Sequence, residues 1–311
     1  MNKQVFKSKV LNIVVCSVFV MILSMLHLKA QEDIITFDIG QFAVTLLSEG
    51  QRMSGTNILI GATEEMLKQA VPAGTYPAAT NVFLLETEDK TVLIDAGLGK
   101  KTVENLEYYG KKASDIDAIF ITHFHGDHIG SLLIEGKKTY PNATLYISKP
   151  ECDYYMNDVA MSALPENQRG GFVTARNIFT SYNLEVFDPD EPDKAKELMP
   201  GVRGVAAYGH TPGHVGYMVE SEGSKIFFWG DLTHAMDIQM PFPEIAVTYD
   251  TDPVKAVESR QNLLKYITDN RIPIAGAHIY YPGMGDIRKN ESTGYDFFPF
   301  CDCGGRTPEV K

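Results

Sequence analysis

Apolar residues come in short runs along most of the chain, rich in β-branched and aromatic side chains and bounded by glycine, proline or charged residues. Runs of that length and composition predict strands. A first set covers 42–47 (FAVTLL), 81–87 (NVFLLET), 91–97 (TVLIDAG), 118–123 (AIFITH) and 143–148 (ATLYIS). A second covers 202–208, 215–221, 225–231 and 272–278. Between the sets, DPDEPDKAKELMPG at 188–201 is rich in proline and acid and reads as a surface connection between two halves. Helical periodicity is expected at 63–70, where Thr63 can cap EEMLKQA, and at about 102–112. It is clearest at 252–270, with Asp252 as N-cap, Pro253 at the first helical position and a stripe of Val254, Val257, Leu263, Leu264 and Ile267. Strand and helix patterns alternate without any internal repeat, so the expectation is one mixed α/β domain over residues 31–311.

The first thirty residues break the pattern. A basic MNKQVFKSK is followed by the apolar VLNIVVCSVFVMILSMLHL and by a small residue at Ala30. That layout predicts a signal peptide over 1–30 and a periplasmic or secreted body; an uncleaved membrane anchor is the competing reading. Cleavage would remove Lys3, Lys7, Lys9 and Lys29 but no acid, taking the formal charge from -12 to -16. Such a surface repels phosphate backbones, which argues against nucleic acid as a partner. Of 311 residues, 44% are hydrophobic and 22% charged, enough to build a sizeable core and too apolar for a disordered chain. Once Cys16 leaves with the leader, Cys152, Cys301 and Cys303 allow one disulfide at most.

Chemistry enters with the histidines. His27 lies in the leader, while His123, His125, His128, His210, His214, His234 and His278 fall at or just past predicted strand ends, in glycine-containing turns. Functional groups of layered α/β proteins gather on such loops, so these residues can converge on one site. In THFHGDH, residues 122–128, imidazoles at i and i+2 of an extended segment point the same way, and Gly126 lets the chain bring Asp127 and His128 round on another side. Packed cores do not gather imidazoles at this density, because each needs partners for both ring nitrogens. A pair of divalent metal ions removes the problem. His123 and His125 would face one ion, Asp127 and His128 the other. His214 in HTPGH, Asp231 in WGD and His278 in GAH are the candidate ligands from elsewhere in the chain.

In this order THFHGDH, HTPGH, WGD and GAH resemble the metallo-β-lactamase superfamily, and the likeness covers nearly all of the chain after the leader. It implies an αββα sandwich with a dinuclear metal site at one edge of the two sheets. The stretches at 201–221, 227–253 and 275–288 are similar to the branch with methyl parathion hydrolase, lactonases and arylesterases. That likeness implies His123, His125 and His214 on one zinc, Asp127, His128 and His278 on the other, Asp231 between them, and Asp95 of VLIDAG supporting a ligand histidine. The implied function is an exported hydrolase in which a metal-bridging hydroxide attacks a lactone, aryl ester or phosphotriester. Asp127 would double as a proton shuttle, and His234 would either contact substrate or steady Asp231. The same cage would accept manganese, cobalt or iron in place of Zn2+.

Three alternatives stand beside this reading. Asp231 argues against a β-lactamase-type hydrolase, a glyoxalase II-like thioesterase would share all seven ligands, and a non-catalytic zinc-binding module would use a closed cage of four tight ligands. The expected partner is a small-molecule ester, lactone or phosphotriester, with a homodimer left open and no membrane contact after leader cleavage. Pocket walls are expected from 50–80 and from the aromatic stretches YYMND and MPFPE, which would give an apolar surface beside the metals.

Overall fold

The computed structural model describes residues 34–292 and 294–300, so the expected leader, Cys301 and Cys303 lie outside the described residues. No helix among the described residues is long and apolar enough to cross a membrane. Two seven-stranded sheets dominate the fold. The first runs in the order Ile34–Ile39, Phe42–Gly55, Thr75–Glu86, Thr91–Ile94, Ala118–Phe120, Thr144–Ser148, Asn183–Phe187. It is antiparallel up to Thr91–Ile94 and parallel beyond. The second runs Glu197–Met199, Val202–Ala206, Val215–Ser221, Ser224–Phe228, Ile274–Ala275, Met284–Lys289, Tyr295–Pro299, with the Ser224–Phe228 and Ile274–Ala275 pair parallel.

Side-chain alternation assigns each face. Phe83, Leu85, Val92, Ile94 and Phe120 of the first sheet pack against Val215, Tyr217, Val219, Ile226 and Phe228 of the second. Their neighbours Leu84, Leu93 and Ile119 point the other way, onto Leu106, Phe172 and Ile178 of the helices Lys100–Tyr109 and Gly170–Ser181. On the outer face of the second sheet, Met218, Phe227 and Ile274 meet Leu263, Leu264 and Ile267 of the helix Pro253–Asn270. These four layers are the αββα sandwich expected from the sequence. The cap at Thr63 is also in place, its Oγ1 accepting from Met66 N–H at 3.2 Å, and Asp252 accepts from Lys255 N–H at 3.0 Å.

The differences from expectation concentrate at strand ends. The strand from 91 stops at Ile94 because Asp95 turns to a φ of 63°, those from 118 and 225 stop at Phe120 and Phe228, and 272–278 shrinks to Ile274–Ala275. Every segment cut short in this way continues as a loop that carries a candidate ligand or its support. The strand from 42 instead extends to Gly55, paired along its length with Thr75–Glu86. Val254 is 80% exposed and leaves the predicted stripe, whose place is taken by Ala256 and Arg260. The connection at 188–201 contains the short strand Glu197–Met199.

Candidate metal centre

Asp95 organises the first loop. Thr122 donates to it through both N–H (2.8 Å) and Oγ1 (2.9 Å), and His128 Nδ1 donates to Oδ2 at 2.8 Å. The left-handed conformation of this non-glycine residue is strain held in place by those bonds. His123 Nδ1 lies 3.1 Å from Thr122 Oγ1, which leaves its Nε2 pointing into the cluster. The segment then turns into the short helix Gly126–Ile129, and this brings Asp127 and His128 round to the second side, as the sequence led us to expect.

Three overlapping groups of ligand atoms result, and the members of one of them, Asp231, His234 and His278, also line a cavity. His123, His125, His210 and Asp231 form the second, and Asp127, His128 and His278 the third, with all atoms of a group within 4.8 Å of one another. Asp231 stands between the last two: its Oδ2 is 3.2 Å from His210 Nε2 and 3.1 Å from His278 Nε2, and its Oδ1 is 3.0 Å from His128 Nε2. Six of the seven predicted ligands are thus brought together. His214 is the correction. Its Nδ1 donates to the Ala207 carbonyl at 2.8 Å and its Nε2 accepts from Asp231 N–H at 3.0 Å, so neither nitrogen is free for a cation. A Cβ at Gly230 would lie 2.5 Å from that Nε2, which together with a φ of 56° explains glycine before Asp231. His210 occupies the vacated role, with Nε2 2.9 Å from His125 Nδ1 and 3.2 Å from His123 Nε2. Its other nitrogen donates to Asp250 Oδ1 at 2.9 Å, while Asp250 Oδ2 accepts from Val247 N–H. A carboxylate behind a ligand imidazole fixes its tautomer and orientation.

Sequence reasoning also passed over Glu151. This buried carboxylate, in the helix Lys149–Met156, accepts from Phe124 N–H at 2.9 Å, Thr211 Oγ1 at 2.7 Å and Gly213 N–H at 2.9 Å, joining the 123–128 loop to the 210–214 loop. Gly213 packs so closely that a Cβ would meet Glu151 N at 2.0 Å.

The electrostatics divide the histidines. Burial pulls His123 well below the ordinary range, His125 and His234 to about 4 and His214 to about 3, keeping them neutral. Burial pulls on His128, His210 and His278 as well, but neighbouring carboxylates outweigh it and raise them, His210 to about 9. Burial pushes Asp231 up, yet His128, His278, His234 and His123 hold it well below the carboxylate range. Protons on these three imidazoles supply positive charge around Asp231. The arrangement is nevertheless incomplete: His128 Nε2, Asp231 Oδ1 and His234 Nδ1 are buried without a hydrogen-bond partner, although the first two lie only 3.0 Å apart. With the imidazole protons displaced, the nitrogens and carboxylate oxygens gathered here turn lone pairs toward one another from several sides, a donor set that fits divalent cations.

A family model described as the metallo-beta-lactamase superfamily matches residues 75–278, a span that contains every member of the cluster. The chain belongs to the metallo-beta-lactamase superfamily. Among solved structures, one similar to this chain is AidC, described as a dizinc quorum-quenching lactonase in complex with a product N-hexnoyl-L-homoserine; it is 25% identical, superposes with a TM-score of 0.77 and aligns over 86% of this chain and 97% of that one. The hydrolase AbOPH of the beta lactamase superfamily is also 25% identical, with a TM-score of 0.74 over 86% of this chain and 98% of its own. Among curated sequences, the endoribonuclease YSH1 of Eremothecium gossypii is 26% identical over 182 residues, 55% of this chain. The chain spans only 24% of that relative's length.

In this metallo-beta-lactamase domain a cavity of about 520 Å³ opens onto Asp127, Asp231, His234 and His278. The segment 50–80 lines it as expected, through Arg52, Ser54, Asn57, Ile58, Tyr76 and Ala78 among others. The aromatic stretches do not. Tyr154 and Tyr155 line a separate cavity of about 250 Å³ against His125 and Gly126, and Phe242 packs into an apolar cluster with Tyr76 and Ile238. The main cavity is correspondingly more polar than the sequence suggested. His234 has Nε2 2.9 Å from Asp231 Oδ2 and forms part of the cavity wall, so it is placed both to steady that carboxylate and to meet a ligand.

Proposed function

We propose that the protein is an exported, metal-dependent hydrolase that uses two divalent ions, zinc by preference, to cleave lactones and aryl esters. The observation that carries this reading is the pair of ligand groups around one shared carboxylate, Asp231, at the floor of an open cavity. His123, His125 and His210 would hold one ion, Asp127, His128 and His278 the second, with Asp231 between. When bound, such ions polarise the substrate carbonyl and make a water acidic enough to attack near neutral pH. The chain supplies the rest. Asp127, partly buried on the cavity wall, is placed to take a proton from the attacking water and return it to the leaving oxygen. His234 holds Asp231 and lines the cavity, where it would meet the substrate. Thr122 and Asp95 on one side and Asp250 on the other keep the ligand imidazoles oriented.

The lactonase among the structural relatives supports the acyl substrate, and the apolar leader after a basic start supports export. A nuclease reading, prompted by the curated relatives, sits poorly with a formal charge of -12. A panel of lactones, aryl esters and phosphotriesters, assayed with metal analysis on the same sample, tests the proposal. Hydrolysis of lactone or aryl ester that is lost on chelation and regained with zinc is expected; full activity in the metal-free protein would defeat it.

A further inference from the structure

Arg52 is out of place in so acidic a chain. Among the described residues it forms no ion pair, and its Nη1 donates to Thr80 Oγ1 at a long 3.3 Å. Its position follows from register: Arg52 pairs with Ala78 and Ser54 with Tyr76, so alternation sets these four side chains on one face, and all four line the cavity that holds Asp127, Asp231 and His234. Met53, between them, points away and is 63% exposed. Tyr76 is buried and lines the same cavity.

We propose that Arg52 and Tyr76 form a carboxylate subsite, and that the natural substrate is an ester or lactone bearing a carboxylate remote from the scissile bond. This rests on the hydrolase reading above. A guanidinium presents two parallel donors that match a carboxylate, and the phenol adds a third. One arginine neutralises a monoanion, whereas a dianionic phosphate would keep a net negative charge facing an acidic protein.

The test compares phenyl acetate with 4-acetoxybenzoate, the same ester carrying a carboxylate, in the wild-type protein and in Arg52→Met and Arg52→Lys. The ratio of kcat/KM for the charged over the neutral ester should fall about tenfold in Arg52→Met, through KM and less steeply at high salt, and recover in part in Arg52→Lys. Calorimetric titration with 4-hydroxybenzoate, referenced to phenol, should show the same tenfold or so weakening without any turnover. An unchanged ratio and an unchanged Kd in Arg52→Met would overturn the subsite, as would tighter binding of phenyl phosphate than of 4-hydroxybenzoate. If the wild type cleaves neither ester, the hydrolase reading fails, and the titration alone decides Arg52.

Discussion

Replacing Glu151 with alanine would cut a buried carboxylate that ties together the two loops carrying His123–His128 and His210–His214. Three donors converge on it, Phe124 N–H and Gly213 N–H at 2.9 Å and Thr211 Oγ1 at 2.7 Å, in a place where the side chain is 1% exposed. Each buried donor left without a partner costs about 1–3 kcal/mol. The threonine hydroxyl can rotate toward another acceptor, but the two backbone groups cannot move without moving the loops. The loss should therefore come to about 3–5 kcal/mol, a large part of the roughly 5–15 kcal/mol that stabilises a typical domain. Glutamine keeps one acceptor oxygen but turns an amide donor toward the others, so Glu151→Gln should lose about half as much. Urea unfolding of the metal-stripped protein measures both, and zinc titration of the folded variants should show weaker binding, because Phe124 follows His123 and Thr211 follows His210 in the chain. An alanine variant within about 1 kcal/mol of wild type, with unchanged zinc affinity, would refute the idea that this carboxylate positions the ligands.

Further outcomes follow from the same geometry. Asp127→Asn should lower kcat by about a hundredfold or more while metal content falls much less; equal losses would remove the proton-shuttle role. His210→Ala should lower metal content measured by emission spectroscopy, whereas His214→Ala, which strands the Asp231 N–H and the Ala207 carbonyl, should cost about 2–4 kcal/mol in urea unfolding and leave the metal content closer to wild type. In the metal-free protein His210 is raised to about 9, so its contribution to stability is complete below the ordinary histidine range near 6.5 and is lost as pH rises through about 9. The Tm of chelated protein should accordingly fall between those limits, and zinc, which must displace that proton, should bind more weakly as pH drops.

The sequence made the four-layer architecture readable because strand runs and the 253–270 helix carry period and capping signals that are local. THFHGDH was equally readable, since the spacing itself sets which side chains share a face. What escaped was decided by packing between distant segments. HTPGH offers two imidazoles, and nothing in the five residues says which faces the cluster; an acid to support His210 lies forty residues on, at Asp250. Glu151 in KPECDYYM looks like an ordinary exposed helix acid, and only the approach of residues 124 and 211–213 buries it. Arg260 is similar: a helix arginine by pattern, yet buried with its guanidinium donating to the carbonyls of Leu232, Pro243 and Ile245. The polar cavity wall was missed because the strand carrying Arg52 and Ser54 lacks the apolar run that marks its first half.

The most direct test is anomalous diffraction from zinc-soaked crystals, combined with metal analysis of the same protein. Two zinc peaks are expected on either side of the Asp231 carboxylate, one among His123, His125 and His210 and the other among Asp127, His128 and His278. Protein that binds no zinc, or holds it away from Asp231, would contradict the account.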